Sequence, residues 1–217
     1  MKRAGRPRRR ALAALIPDDP GVLVDVGADH GHVASAVGAI ATERMPGRIG
    51  RRDVPWVVAD GLAPFRYVDT AVIAGMGAHT ILGILDRGPR PRRALIVHAP
   101  DAPALLRRGL AERGWRIDHE MLAPEARRYA EVIRAIPGRE PSTGAHLDLG
   151  PRLLVSDDPL LEAHLRVLCA HLSGLEAATR GRDVAKHATT RERLELVEAT
   201  LRSRFPEAHE ERSHDGE

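Results

Sequence analysis

A short apolar run that ends in glycine and leads into a polar loop constrains the fold of this chain more than any other feature. Gly21 to Gly27, with the sequence GVLVDVG, is rich in valine and predicts a buried parallel strand. The loop Ala28 to His32 follows, and Val33 to Val37 is small and apolar enough to continue as a helix. This strand, loop and helix unit is typical of a parallel α/β sheet.

The same pattern recurs along the first two thirds of the chain. It predicts a doubly wound, Rossmann-like α/β sheet, because strands and helices alternate, and an antiparallel edge, because two strands follow each other directly. The loop between those two strands is expected at Ala123-Pro124-Glu125. The expected strands are 37–42, 54–59, 70–74, 94–97, 115–122 and 128–136, and the expected helices are 8–15 and 102–113.

The periodicity changes after residue 150. Leucines at 161, 165, 168, 172 and 175 step by four and three, and Leu194, Val197, Leu201 and Phe205 form a second such stripe. Two amphipathic helices separated near Gly181 predict a helical hairpin. We therefore expect a basic arm at 1–10, a catalytic domain at 11–137, a linker at 138–150, the hairpin at 151–206 and a disordered charged tail at 207–217.

Composition excludes several classes of protein. The single cysteine, Cys169, cannot form an internal disulfide, so a disulfide-stapled extracellular fold is excluded. No stretch reaches the roughly 20 apolar residues that span a bilayer, and the apolar stretch after the basic start is too short for a signal peptide. These observations favour a cytoplasmic protein without a membrane partner.

Positive charge is concentrated in two segments. The formal net charge is only +3, but Lys2 to Arg10 is strongly basic and three arginines fall between residues 48 and 52. Such clusters attract nucleic-acid phosphates, although the terminal cluster is equally well explained as a solvated end of the chain. The candidate RNA contacts are Lys2, Arg3, Arg8, Arg9, Arg10, Arg48, Arg51 and Arg52.

The loop after the first strand argues against a dinucleotide ligand. Its sequence has Asp29 where a phosphate-binding loop of the G-x-G-x-x-G type has its second glycine, so a carboxylate would face a pyrophosphate. A loop containing Asp25 and Asp29 is better matched to a cation. S-adenosylmethionine carries a sulfonium and an ammonium group, which both aspartates would attract.

Acidic residues also follow the next two strands. Glu43 lies 18 positions after Asp25, near the spacing at which an acidic residue meets ribose hydroxyls, and Asp60 is placed to accept a hydrogen bond from an adenine amino group. Each alone is more often an ordinary loop or capping residue. Their recurrence at the carboxyl ends of successive strands favours a ligand site.

Ala74-Gly75-Met76-Gly77 ends the fourth strand, where a loop positions substrate beside a cofactor, although a tight strand-to-helix turn explains it equally well. His30 and His32 lack a third metal ligand nearby, so no metal site is expected. The motifs of serine hydrolases, P-loop enzymes and zinc proteases do not occur in the sequence.

Several motifs occur together in this chain, namely LVDVGADHG at 23–31, ADGL at 59–62, VIAGMG at 72–77, GW at 114–115, YAEVI at 129–133 and LGPRLL at 149–154. In this order they resemble one family, the bacterial tRNA (adenine(22)-N1)-methyltransferases. The resemblance covers about residues 8–205 and departs from the family in a shorter segment between Glu43 and Val57, in Ala78, and in His98-Ala99-Pro100.

The resemblance implies a class I methyltransferase that uses S-adenosylmethionine to methylate N1 of an unpaired adenine in tRNA. Asp29, His30, Gly75, Met76 and Gly77 match the catalytic region. The cofactor positions implied are Asp25, Gly27, Ala28, Asp29, His30, Glu43, Asp60, Gly61, Leu62 and Ala74. Two alternatives stay open, a methyltransferase of a small molecule and a non-catalytic RNA-binding relative. We expect a monomer or a weak homodimer through the C-terminal helices.

Overall fold

A computed structural model describes residues 6–126 and 128–206 of the chain, which divides into two compact units, residues 1–141 and 142–217. Lys2, Arg3 and the tail 207–217 lie outside the described residues. Among the helices that the model does describe, none is both long and apolar enough to cross a membrane.

The first unit is a seven-stranded sheet with helices packed against it, which confirms the predicted doubly wound fold with an antiparallel edge. The strands are β1 (Leu23–Val26), β2 (Ile40–Glu43), β3 (Trp56–Val58), β4 (Thr70–Ala74), β5 (Ala94–His98), β6 (Trp115–Glu125) and β7 (Arg128–Pro137). The helices are α1 (Arg6–Ala14), α2 (His32–Val37), α3 (Ala78–Arg87) and α4 (Pro103–Glu112), with a 3-10 turn at Pro46–Arg48.

The strand order is β3-β2-β1-β4-β5-β7-β6, so the chain winds outward from β1 in one direction and then from β4 in the other. The five strands from β3 to β5 are parallel, and β7 runs antiparallel to both β5 and β6. The order therefore reverses between β1 and β4. In open α/β sheets, ligands bind at the carboxyl ends of the strands beside such a reversal.

Three local expectations differ from the structure. Val37 ends α2, so β2 begins only at Ile40. Ala123-Pro124-Glu125 belongs to β6 rather than to the connecting loop, and the turn follows at Ala126, which has a positive φ of 51°. Helix α3 has no counterpart in the sequence interpretation, although Ala78, Ile81, Leu82 and Ile84 are all buried on it.

The antiparallel edge encloses a buried ion network. Arg107 on α4 is fully buried and lies 2.7 Å from carboxylate oxygens of both Glu120 on β6 and Glu131 on β7. Burial by itself lowers the pKa of Arg107, but the two carboxylates outweigh it and raise that pKa overall. Arg107 is therefore charged and bound on two sides by anions.

The second unit contains α5 (Gly144–Leu149), α6 (Leu161–Thr179) and α7 (Val184–Arg204), and α6 and α7 form the predicted hairpin. Asp183 caps α7 by accepting the N–H of Lys186 at 2.9 Å. Arg204 donates to the carbonyls of Leu154 and Ser156, which holds the segment before α6 against the end of α7. The 138–150 stretch differs from an irregular linker, because its second half is the helix α5.

Candidate active site

The turn after β1 is built around a glycine that no other residue replaces without strain. Gly27 has a φ of +64°, a conformation that side-chain-bearing residues rarely adopt. A Cβ placed on it would lie 2.0 Å from Cε of Met76, in the loop after β4. The Met76 side chain therefore fills the space over Gly27, and a methyl group at Gly27 would require it to move.

Asp25 is held by the chain itself. Its side chain is 5% exposed, and Oδ2 accepts the backbone N–H of Ala34 in α2 at 3.0 Å. Burial raises the pKa of Asp25 to about 7, against the smaller lowering effect of that hydrogen bond. Asp25 lines the cavity described below. With this pKa it is only partly ionised near neutral pH, whereas its sequence position predicts a full negative charge.

Asp29 and His30 lie at the open side of the same turn. Their side chains are 58% and 65% exposed, and His30 Nε2 is 3.8 Å from Asp29 Oδ2. A Cβ on Gly50 would lie 3.3 Å from His30 Cα, so the arginine-rich segment after β2 passes directly beside this turn. Asp29 is therefore an accessible carboxylate near a cationic segment.

The carboxyl ends of β2 and β3 bring two further acids close to this turn. Backbone hydrogen bonds connect these strand ends. The N–H of Ala28 donates to the Thr42 carbonyl at 3.1 Å, and the N–H of Ala59 donates to the Glu43 carbonyl at 3.1 Å. The Glu43 side chain is 6% exposed, and its Oε1 accepts the N–H of Met45 at 3.0 Å. Glu43 is therefore a fixed carboxylate at the wall of the cavity.

Asp60 differs from Glu43 in both exposure and partner. Its carboxylate lies 3.6 Å from Arg87 of α3, and both side chains are more than half exposed. The next residue, Gly61, has a φ of +67°, and a Cβ there would come within 2.8 Å of Ile84. Leu62 is buried in the core and does not line the cavity, so the structure does not place it at the predicted cofactor site.

The loop after β4 combines an open glycine with a helix start. Gly75 has a φ of +79° with no atom within 4 Å of an added Cβ, and its N–H donates to the His98 carbonyl at 3.0 Å. Gly77 precedes α3 and does not line the cavity, and Asp101 accepts the N–H of Ala78 at 3.1 Å. The backbone at Gly75 is thus fixed while the space above it is free.

These loops enclose one cavity of about 730 Å³ at the reversal between β1 and β4. Such a volume suits a ligand of cofactor size. Of the predicted cofactor and catalytic positions, those that line it are Asp25, Gly27, Ala28, Asp29, His30, Glu43, Asp60, Gly61, Ala74, Gly75 and Met76.

Sequence reasoning missed one wall of this cavity. Thr80, Ile84 and Arg87 line it from α3, where their spacing of four and three places them on one helical face. Arg44 also lines it, directly after Glu43. The signal for α3 was present in its apolar periodicity. The only sequence signal for Arg44 was its position directly after Glu43, the acid predicted to bind ribose.

The predicted RNA-binding arginines fall into two groups. Arg8, Arg9 and Arg48 line the cavity, whereas Arg10, Arg51 and Arg52 are exposed away from it. Arg8 forms an ion pair with Glu125 at the end of β6, and Arg51 forms one with Asp53 at 2.9 Å. Arg51 also accepts through its carbonyl the indole N–H of Trp56, whose ring packs against Gly31.

The lining fits S-adenosylmethionine in its chemistry. Asp29 and Glu43 present carboxylates, which attract a cation and accept hydrogen bonds from hydroxyls, and Gly75 leaves space for close approach to the backbone. Within residues 6–126 and 128–206, no group of three or more His, Cys, Asp or Glu side chains is placed to hold a metal ion.

Comparison with known proteins identifies the family. The family model for TrmK, tRNA (adenine(22)-N(1))-methyltransferase, matches residues 24–199 of the chain. The B. subtilis m1A22 tRNA methyltransferase TrmK superposes with a TM-score of 0.73 at 22% identity, over 89% of this chain and 97% of that one.

Structural similarity extends to a relative crystallised with a cofactor product. TrmK from M. capricolum in complex with S-adenosyl-homocysteine superposes with a TM-score of 0.73 at 16% identity, over 89% of this chain and 96% of that one. No curated protein sequence matches the chain at a significant level. At these identities the superpositions establish the fold.

Proposed function

The chain belongs to the tRNA (adenine(22)-N(1))-methyltransferase family, and from this premise we propose that the cavity at β1 and β4 is where it methylates N1 of an unpaired tRNA adenine. The protein is an S-adenosylmethionine-dependent tRNA methyltransferase. The observation that carries the site assignment is the convergence of the Gly27 and Gly75 turns with Asp29 and Glu43 on one cavity.

The chemistry requires positioning rather than proton removal. Adenine N1 already carries a lone pair, so no general base has to generate the nucleophile. S-adenosylmethionine supplies, when bound, a methyl group activated by its sulfonium. The chain has to hold N1 in line with that methyl group, and the fixed backbone and open space at Gly75 are suited to this close approach.

The target base has to leave any helix before it reaches the cavity. N1 lies on the edge that forms base pairs, and a paired adenine hides it. Met76, which lines the cavity beside Gly75, offers an adaptable apolar surface for the entering base.

Each acid has a proposed role that follows from its environment. Glu43, fixed at the end of β2, accepts hydrogen bonds from ribose hydroxyls. Asp60 accepts a hydrogen bond from the adenine amino group of the cofactor once its ion pair with Arg87 opens. Asp29 is accessible and stabilises the positive charge that develops on the methylated base. His30 is proposed to contact the base without acting as a proton acceptor.

Binding of tRNA is assigned to the arginines beside the cavity, with Arg9 and Arg48 in the described part and Lys2 and Arg3 as expectations outside it. A monomer or a weak homodimer through the α6 and α7 helices stays a prediction.

The decisive experiment is methyl transfer from tritiated S-adenosylmethionine to a tRNA transcript with adenine at position 22, followed by mass analysis of the nucleosides. We expect N1-methyladenosine at that position and none in a transcript with guanine there. Asp29→Ala should reduce turnover at least about tenfold, since it removes charge stabilisation at the base.

The matched control is Asp18→Ala, which removes an exposed aspartate from the amino end of β1, at the opposite edge of the sheet. It should leave turnover unchanged. Label in another nucleoside would overturn the substrate assignment, and equal losses in Asp29→Ala and Asp18→Ala would overturn the role of Asp29.

A further inference from the structure

Three arginines at the cavity have side chains without a partner among the described residues. Arg9 of α1, Arg44 after β2 and Arg48 of the 3-10 turn line the cavity, and none of their side chains forms a hydrogen bond or ion pair with another described residue. The other two arginines that line it differ, because Arg8 pairs with Glu125 and Arg87 pairs with Asp60. We call Arg9, Arg44 and Arg48 the rim arginines.

None of the cavity acids forms an ion pair with a rim arginine among the described residues. Glu43 is held by the chain's own N–H at Met45, and Asp60 is paired with Arg87. Asp25 is shielded by burial, and the resulting rise of its pKa to about 7 leaves it only partly ionised near neutral pH. Asp29 is the remaining accessible carboxylate among those that line the cavity.

The pKa of one cavity imidazole reports positive charge from the two basic segments. The pKa of His32, which lines the cavity, is lowered by partial burial first, then by Arg9 and Arg51, and by His30, while Asp29 raises it slightly. Arg9 comes from α1 and Arg51 from the segment after β2. Positive charge from both basic segments therefore acts on His32 at the wall of the cavity, and Arg9 is the rim arginine among the contributors.

The rim arginines oppose binding of the cofactor alone, although the carboxylates of the lining suit it. S-adenosylmethionine has one net positive charge, since its sulfonium and ammonium groups exceed its single carboxylate. Unpaired arginines beside it raise the free energy of binding, whereas RNA phosphates placed on them remove that repulsion.

We infer, on the basis of the proposed function, that the rim arginines Arg9, Arg44 and Arg48 bind phosphates of the strand that carries the target adenine and thereby couple tRNA binding to binding of the cationic methyl donor. The coupling is positive and reciprocal, so each ligand tightens the other by the same factor. Arg44 is part of this surface although it follows the ribose acid directly.

The reaction itself removes the coupling. The bond between sulfur and methyl breaks with its electron pair left on sulfur, and the N1 lone pair forms the new bond to the methyl group. Positive charge thus moves from the cofactor to the base, so the cofactor product is neutral overall and the RNA is less negative. The charge-based reason for the two ligands to bind together is then gone, which favours product release.

The test compares two ligands that differ in this charge. Sinefungin, in which a protonated amine replaces the methylsulfonium, is a cationic analogue that transfers no methyl group, and S-adenosylhomocysteine is neutral overall. Calorimetry gives the Kd of each ligand with and without saturating unmodified tRNA transcript. For the wild-type chain we expect tRNA to tighten sinefungin at least about fivefold and S-adenosylhomocysteine less than about twofold.

The variant Arg9→Gln/Arg44→Gln/Arg48→Gln should lose this coupling. Without tRNA it should bind sinefungin more tightly than the wild type does, because the repulsion is gone, and its affinity for tRNA should fall at least about tenfold with a shallower salt dependence. Arg66→Gln is the control. Arg66 is exposed, does not line the cavity and lies before β4, at the amino edge of the sheet, so this variant should keep the coupling.

The outcomes separate this inference from the proposed function. Coupling that survives in the triple variant, or equal coupling for the two ligands, overturns the inference and leaves the function intact. If the wild-type chain binds neither of the two cofactor analogues and no tRNA, the inference and the proposed function are both overturned.

Discussion

The two halves of the sheet treat charged side chains in opposite ways. At the antiparallel edge, Arg107 is enclosed between Glu120 and Glu131, and the three charges satisfy one another inside the protein. In the parallel half, Asp29 and the rim arginines face a cavity. Among the described residues, their side chains form no ion pair as close as those of Arg107. The charges at the antiparallel edge therefore stabilise the fold, whereas those at the cavity remain available to bind ligands.

The largest expected effect comes from breaking the enclosed network. Arg107→Met leaves Glu120 and Glu131 buried without their cation, and it should lower the free energy of unfolding by about 3–5 kcal/mol. Urea unfolding measures this loss. The folded fraction should still bind S-adenosylhomocysteine with wild-type affinity, because Arg107 lies outside the cavity.

Arg51→Gln is the contrasting control, since the Arg51–Asp53 pair is exposed and surface pairs contribute little to stability. It should shift the urea midpoint only slightly. Equal losses in Arg107→Met and Arg51→Gln would mean that burial does not distinguish the two pairs.

Asp25 sharpens the comparison, because it is a buried carboxyl at the cavity that forms no ion pair with another described residue. Its folded pKa of about 7 lies above its ordinary value of 3.8, so the folded state holds its proton more tightly than the unfolded state. The contribution of Asp25 to the free energy of unfolding should therefore fall as pH rises from about 4 to about 7, by up to roughly 4 kcal/mol, and stay level above that.

Asp25→Asn should remove this fall while keeping an oxygen that accepts the Ala34 N–H. The variant should be the more stable protein at pH 8 and indistinguishable from the wild type near pH 4. Unfolding free energies measured across this range would contradict the argument if the two profiles ran parallel.

Sequence patterns were sufficient for the sheet and for much of the cavity. Buried strands such as β4 and β5 are continuous apolar runs, and parallel strands gather the residues that follow them at one edge. For this reason the sequence alone predicts that Glu43 and Asp29 belong to one site.

What sequence could not provide depends on contacts between distant segments. Arg8 pairs with Glu125, which is 117 positions away, so a basic arm alone did not distinguish Arg8 from Arg9. The raised pKa of Asp25 comes from burial, and although the run that contains Asp25 predicts a buried strand, the sequence interpretation treated Asp25 as a charged group. The pairing of Asp60 with Arg87 required helix α3, whose apolar face was overlooked.

A smaller effect should separate two glycines of the parallel half. Gly27 and Gly38 have similar φ values of +64° and +70°, but an added Cβ meets Met76 at Gly27 and nothing within 4 Å at Gly38. Both alanine variants should lose similar stability because of the backbone conformation. Only Gly27→Ala should weaken S-adenosylhomocysteine binding, by about 30-fold or about 2 kcal/mol, because Met76 has to move within the cavity.

Calorimetry at matched protein stability distinguishes these outcomes. Similar affinities in Gly27→Ala and Gly38→Ala would show that the approach of the two loops does not shape the cofactor site.

The smallest effects compare a buried, hydrogen-bonded acid of the cavity, Glu43, with an exposed one, Asp60. Glu43→Gln keeps an oxygen for the Met45 N–H and removes only the charge, so it should weaken S-adenosylhomocysteine about tenfold through the proposed ribose contact. Asp60→Asn should weaken it about threefold or less, because Asp60 is exposed and Arg87 already competes for it. A larger loss at Asp60 than at Glu43 in the same titration would contradict this ranking, since it would make a mobile, paired carboxylate the stronger ligand group.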